Sequence, residues 1–551
     1  LVAPQALAAA GLDVRFDPGL QELVFRVSVD QRPAGDISLG YPARPRISAN
    51  LARPAIIAGY LNVIAGIDRT WGGTTIAGPN NRADDATFGR LEFDSAVRLW
   101  NVVIENRAIY KTGTEISFCP VTIYCHNDDT AGFRRDISRI VYDQPEKSLR
   151  LTIGDVDSLG IGIQGSPEML GVSLEKSPRK LNPGVNNGPT MRSSFRIDRP
   201  SQVEVLVNGI VLNRLQLRPG IYNIRDLPLA TGANEVQLEI TDDTGERRTQ
   251  SFRTFFDNNL LAAGNDEWSL TAGVPSFLLN EQRMYSDDQV LGIGHYRYGL
   301  TNGLTAEAHL QADTRIAMGG AGAIMQSPWG VFAVRGAVSG GYTGAGAAAT
   351  FDWSLVNFTG ITGTRGENLR LSAEYRTADY RVPGEVVTTA DGLLYLQPNY
   401  RARFDASYSA PLGWGVSATL AGRYLMVDDD DVWHLPYVPR GDRYGADLTL
   451  SRALGPTLSL SLTLGYSNES YLASVLGNRE VEPEFRIAAR LYFRPDVKTT
   501  VSASYDSLNQ QADISAYRSE GNGIGRWDVS VNAQHHGAAD RGSLGGSASY
   551  H

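Results

Sequence analysis

Few residues in this sequence stand in an order that chemistry could use. Gly160-Ile-Gly162-Ile-Gln-Gly165 has the G-x-G-x-x-G spacing of a loop that cradles a pyrophosphate. Such a loop works where a helix opens at its end. Here Ser166-Pro167 and another strand-like run follow, so the segment reads as a glycine-rich hairpin turn. Asp243-Thr244-Gly245 matches the aspartic-protease triplet, but it occurs once and between hairpin strands. A dyad needs a second carboxylate beside the first, and the turn reading prevails. Asp428 to Asp431, with Asp442 nearby, offer hard oxygen ligands. They lack the spacing and the glutamate of an EF-hand and read as an acidic surface loop. His295 and His309 fall on neighbouring predicted strands, and a pair without a third ligand reads as a polar pair rather than a metal centre.

Cys119 and Cys125 have five residues between them, too many for a Cys-x-x-Cys knuckle. Pro120, Asn127 and Asp128 mark the surroundings as a loop. A loop-closing disulfide in an oxidising compartment is the better reading, with free thiols as the alternative. No Gly-x-Ser-x-Gly elbow is present. The expectation is a protein that is not an enzyme and needs no cofactor or metal.

Composition narrows the class. The 551 residues carry a net charge of −9, which gives no broad basic surface for nucleic acid. No apolar run reaches the roughly 18 residues of a transmembrane helix. The mean hydropathy of −0.21 is that of a soluble protein, and equally that of a membrane β-barrel. In such a barrel each strand alternates lipid-facing apolar with lumen-facing polar residues. Leu1 is not Met, so a signal segment could have been removed.

The elements that must position these residues are strands. From Ile56 onward, segments of roughly ten residues alternate in character between Gly, Asn, Asp and Pro. Leu458, Leu460, Leu462 and Leu464 interleave with Ser459, Ser461 and Thr463, a clean period of two. Aromatics such as Trp71, Trp100, Trp329, Trp414 and Trp527 cluster near segment ends, as interface girdles do. Small-residue runs at 319–324 and 344–350 would leave a sandwich core poorly filled, but a barrel wall has no core to fill.

A stretch of another kind interrupts this series. Val203, Val205 and Val207 alternate into the turn Asn208-Gly209, and a second run leads to Pro219-Gly220. A further strand ends in a turn containing Asp243 and Gly245. The stretch reads as a small β-sandwich of roughly six short strands. Allowing about 18 residues per membrane strand with its loops, the remainder holds roughly 22 to 24 strands. A barrel that wide encloses an aqueous lumen, and a folded insert would serve as its stopper.

The sequence resembles the outer-membrane fimbrial ushers of the chaperone–usher pathway. The likeness rests on R-P-S-Q-V-E-V-L-V-N-G (199–209), L-R-P-G-I-Y-N-I-R-D-L-P-L (217–229) and G-A-N-E-V-Q-L-E-I-T-D-D-T-G (232–245). L-R-L-T-I-G-D (149–155) and W-S-L-T-A-G-V (268–274) flank them as barrel strands. The resemblance implies an all-β fold, a barrel of about 24 antiparallel strands with an immunoglobulin-like plug. The implied division is a lead-in and linker at 1–52, barrel at 53–190, plug at 191–262 and barrel at 263–551. It implies a Gram-negative outer-membrane pore that takes pilus subunits and a tip adhesin from periplasmic chaperone–pilin complexes and secretes the assembled fibre. Donor-strand exchange is β-strand addition, so subunit folding can drive assembly without nucleotide.

Ushers also carry an N-terminal periplasmic domain, of which 1–35 would be the tail, and two domains after the barrel. Here the chain stops at a strand-like Ser-Ala-Ser-Tyr-His551. Candidate gating residues of the plug are Arg196, Arg199, Arg214, Arg218, Arg225 and Asp226, read against the plainer alternative of solvated surface charge. Each ion pair to the lumen wall would stabilise by only about 0–1 kcal/mol, which suits a gate that must open. Two other readings compete. One is a TonB-dependent plugged transporter, whose plug would precede the first strand. The other is a non-channel adhesin of repeated β-sandwiches.

Overall fold

The computed structural model describes residues 13–17, 22–26, 35–38, 57–72, 86–112, 131–181, 193–197, 201–207, 210–217, 220–225, 232–242, 247–256, 260–279, 282–286, 289–341, 344–384, 387–388, 394–395, 400–427, 441–468, 482–508, 510–521, 525–537 and 541–550. The chain forms two compact units: residues 1–51 with 188–258, and residues 52–187 with 259–551.

The larger unit is one closed antiparallel barrel. Six wall strands run from Ile57–Gly72 to Glu168–Lys176, and sixteen from Asp266–Leu279 to Arg541–Tyr550. The wall seals at two seams. Glu168–Lys176 pairs with Asp266–Leu279, and the last strand pairs with the first, Tyr550 opposite Val63 and Arg541 opposite Gly72. Closure leaves no open edge, as a sheet in hydrocarbon requires.

The wall therefore has 22 strands among the described residues, not 24. The short strand Gln282–Tyr285 pairs with the end of Asp266–Leu279, while the next full wall strand, Leu291–Thr301, pairs with that same strand directly. The figure of 24 is what the resemblance implies, whereas the allowance of about 18 residues per strand gives roughly 22 to 24. Connections are uneven in length, the longer ones spanning 377–399, 428–442 and 468–483, and Val387–Thr388 with Leu394–Tyr395 pairs as a separate two-stranded ribbon. A closed barrel also overturns the reading of repeated sandwich modules.

Turn lengths orient the barrel. At one rim the strands join through short turns, at 100–101, 302–303, 328–329, 414–415 and 454–457. At the other rim lie the long connections 73–85, 113–131, 428–442 and 468–483. Short turns face the periplasm in barrels of this kind. The chain leaves the wall after Lys176 and re-enters it at Asp266, both at the short-turn rim.

Alternation decides which side chains meet lipid. Leu460, Leu462 and Leu464 are exposed on the outer surface, so Ser459, Ser461 and Thr463 face inward. The aromatics form two belts. Trp100, Trp329, Trp414 and Trp527 stand exposed at the short-turn rim, where Trp353 stacks on Phe332 at 5.8 Å and donates to the Trp329 carbonyl. Trp71, Tyr375, Phe404, Tyr424, Tyr466 and Phe485 mark the other rim, with Tyr466 and Phe485 centred 4.9 Å apart. Amphipathic rings favour both interfaces. No helix among the described residues is long and apolar enough to cross a membrane.

The smaller unit has a four-stranded antiparallel sheet in the order Ile210–Leu217, Ser201–Val207, Gly232–Asp242, Arg247–Phe256. Val203, Val205, Val236, Leu238 and Ile240 are buried, the apolar face of the alternation read from the sequence. A three-stranded sheet places Gly220–Arg225 between Ser193–Ile197 and Gly35–Ser38, the last pairing in parallel. Asp13–Asp17 and Glu22–Arg26 form a separate hairpin.

Candidate functional site: the lumen wall of the barrel

The inner wall is polar, and its charges are paired. Glu307, on Leu304–Ala312, has a side chain only 2% exposed. Its Oε1 accepts from Arg297 Nε at 2.9 Å and its Oε2 from Arg335 Nε at 2.7 Å. Arg297 also reaches Glu267 at 3.1 Å, and Arg335 reaches Asp352 at 3.1 Å. Asp352 then accepts from Ser372 Oγ at 2.7 Å. One line of charge thus runs across the wall from Asp266–Leu279 to Gly344–Thr359, and the Ser372 hydroxyl ties it to Arg365–Arg376. Ion pairs of this kind are strong only when each charge keeps good partners, and here each does.

Further pairs continue the pattern. Arg139 binds Glu105 at 2.6 Å and Asp157 at 3.3 Å. Arg150 makes a bidentate contact to Asp143 at 2.6 and 2.7 Å. Arg283, nearly buried, ties the short strand Gln282–Tyr285 to Glu168 at 2.6 Å and Asp136 at 3.0 Å. From residue 400 onward charges are still paired, Arg486 with Asp506 at 2.6 Å and Arg423 with Asp447 at 3.5 Å, and hydroxyl pairs add to them. Hydroxyls face one another across strands there, Thr449 with Thr463 at 2.8 Å, Ser502 with Ser515 at 2.7 Å and Ser530 with Ser547 at 2.6 Å.

A loop covers part of the charged sector. Residues 158–167 join Leu149–Asp157 to Glu168–Lys176 and contain the G-x-G-x-x-G spacing. Gly162 has φ +61°, a strand follows, and the segment is a turn. Gln164 donates from Nε2 to the carbonyls of Gly294 at 3.1 Å and Leu310 at 2.9 Å. Ile163 is buried with Met318, Ala337, Ala348, Tyr380 and Val382. Residues 377–384 pack in the same place, with the Pro383 carbonyl accepting from Gln311 at 2.7 Å. His295 and His309 stand directly opposite each other in the register beneath this loop.

Of the sequence candidates, Arg196, Arg214 and Arg225 fall on strands of the smaller unit, opposite Ile221, Glu204 and Ser38. Their side chains lie outside the described residues, as do Arg199, Arg218 and Asp226. Gly220 opens the strand Gly220–Arg225. Asn208, Gly209, Pro219, Asp243, Gly245, Cys119, Cys125 and Asp428 to Asp431 also lie outside the described residues. Asp442 accepts from the Val427 amide at 3.2 Å and from the Tyr424 hydroxyl. No cluster of three or more metal-ligating side chains occurs among the described residues. Sequence reasoning missed the Glu267–Arg297–Glu307–Arg335–Asp352 line. Its only linear trace is an acidic or basic residue at an inward position of each strand.

No protein-family model matches the chain. It is 28% identical over 323 residues to the outer membrane usher protein FaeD of Escherichia coli, covering 52% of this chain and 34% of that one. It is 24% identical over 355 residues to the Escherichia coli outer membrane usher protein AfaC, covering 62% and 32%. The chain therefore spans about a third of the length of these curated relatives. Among solved structures, it is similar to the Escherichia coli P pilus tip assembly intermediate PapC-PapD-PapK-PapG, with a TM-score of 0.52 and 14% identity over 98% of this chain and 65% of that one. That likeness concerns the fold. By sequence over half of its length or more, the chain is similar to the outer membrane usher proteins FaeD and AfaC.

Proposed function

We propose that this chain is the translocation pore of an outer-membrane usher. It spans the Gram-negative outer membrane and accepts chaperone-bound pilus subunits at its short-turn rim. It then passes the growing fibre and its tip adhesin through the lumen. The work is selective passage, not catalysis. Subunit folding supplies the free energy through strand addition, so no nucleotide or cofactor is required. The observation that carries this reading is sequence kinship with ushers in a chain whose closed wall is interrupted after its sixth strand.

The interruption, residues 191–262, is an immunoglobulin-like plug in this reading. A lumen of this size would otherwise leak. The two sheets and the buried valines of the smaller unit fit a compact stopper. Arg196, Arg199, Arg214, Arg218, Arg225 and Asp226 are its gating residues. They hold it through polar contacts weak enough to release.

Deletion of 195–252 tests the plug. In planar bilayers the shortened protein should conduct constitutively, at several times the level of the intact chain. Conductance no higher than that of intact protein would sink the stopper role. Failure to export pilins in a strain that supplies the chaperone and subunits would sink the usher reading itself.

A further inference from the structure

The two histidines beneath the 158–167 loop have no role in the reading above. His309 is 4% exposed, and neither ring nitrogen has a hydrogen-bond partner. His295, its register partner, bonds the Leu159 backbone and leaves Nδ1 buried and unpartnered. Gly320 makes room for the His309 ring, because a Cβ there would lie 2.5 Å from Nε2. Buried polar atoms left unpaired are uncommon and call for an explanation.

We propose that this pair is an acid-sensitive latch for the 158–167 loop. As neutral rings, the two histidines fit under the loop. An imidazolium does not, because both nitrogens become donors and the site offers few acceptors. On the strand of His309 the charged neighbour is Glu307, whose oxygens are already taken by Arg297 and Arg335. On the strand of His295 it is Arg297, a cation. Arg335, from Gly330–Gly341, adds another. Neither the 158–167 loop nor Ile316–Ser327 carries a titratable side chain; the 377–384 segment carries Asp379, Tyr380 and Arg381, of which Tyr380 joins Val382 in the buried cluster there, and it adds the Pro383 carbonyl. A proton on either ring meets cations and a second histidine, while Glu307, the carboxylate nearest both rings, is already shared by two arginines and the Leu159 backbone serves His295 alone.

The cheapest relief is hydration. Water reaches the rings if the loop lifts from the wall. Lifting breaks the two bonds of Gln164 and the contact of His295 with Leu159, and withdraws Ile163 from its apolar cluster. The loop belongs to the long-connection rim, so acid on that side opens the lumen lining there.

The test is a spin label at Leu159→Cys, a side chain 49% exposed, in a Cys119→Ser/Cys125→Ser background in nanodiscs. The label should change from immobile to mobile as pH falls through about 7 to 5, the range in which imidazole changes charge. His295→Gln/His309→Gln, which cannot titrate, should keep it immobile throughout. Mobility that does not change with pH in the parent would overturn the latch, as would a transition that persists in the double variant. Heat-modifiable migration reports whether the double variant forms the closed barrel. If it does not, His309→Asn alone serves, and an unchanged transition in that variant overturns the latch equally.

Discussion

Glu307 and Arg335 meet at 2.7 Å although a whole strand, Ile316–Ser327, lies between theirs. Gly322 is the register partner of both, and the pair closes over it. A Cβ at Gly322 would lie 2.6 Å from Arg335 Cγ and 2.9 Å from the Val334 carbonyl oxygen. Gly322→Val should therefore displace Arg335 and break its bond to Glu307. The expected loss is about 1–3 kcal/mol, as for other overpacked sites. A lower temperature of heat-modifiable migration would register it, and an unchanged temperature would contradict it.

The network also predicts an asymmetry between its members. Glu307→Gln removes a charge that two arginines share, leaving Arg297 and Arg335 with one carboxylate each. The loss should be about 1–3 kcal/mol, the cost of stranding buried polar partners. Asp352→Asn, at a half-exposed side chain, should cost about 0–1 kcal/mol. Urea unfolding of the two variants in lipid vesicles gives the comparison. Equal losses would show that burial does not govern the network.

Neighbouring residues on one strand should respond oppositely to charge. Leu462 faces lipid and Ser461 faces the lumen. Leu462→Arg should destabilise the barrel by about 2–4 kcal/mol if it sits near the bilayer midplane, while Ser461→Arg should be nearly neutral. Reversible unfolding in vesicles measures both. A costly Ser461→Arg would reverse the assignment of faces.

The turn at 360–364 hangs on one carboxylate. Glu367 is fully buried and accepts from the Ile361 and Thr362 amides at 2.9 Å each, from Thr362 Oγ1 at 2.6 Å and from the Tyr408 hydroxyl. Glu367→Ala strands these donors, and the turn should loosen locally. Hydrogen exchange at Ile361 and Thr362 should accelerate, while exchange in the flanking strands stays slow. Unchanged protection of both amides would refute the role.

A second turn should loosen in acid. Asp496 accepts from the Lys498 amide at 2.8 Å and the Thr499 amide at 2.6 Å, and these bonds hold its carboxyl below the usual carboxylate range. A depressed folded value means that the stabilisation is complete above the unfolded value, about pH 4. It fades as pH falls through the folded value. Exchange of those two amides, corrected for intrinsic rates, should lose protection below about pH 4 in the parent. In Asp496→Asn it should be insensitive to pH. Protection that persists in acid would rule the carboxylate out.

Local sequence determined the parts whose physics is local. Leu458 to Leu464 could only be a strand with one apolar face, because side chains alternate along extended backbone. A strand-like run follows Ser166-Pro167 where a pyrophosphate loop needs a helix, so residue order argues against that site. Ile316–Ser327 and Gly344–Thr359 show in the sequence only as small-residue runs suited to a barrel wall, without strand bounds, since Ala and Gly carry little alternation. Their smallness makes sense only across the sheet, where Gly322 admits Arg335 and Gly320 admits His309. The strand number, the seam between Tyr550 and Val63, the Glu307 network and the histidine pair belong to tertiary structure alone. Each depends on register between segments far apart in the chain, and register is a property of pairing that no single strand encodes.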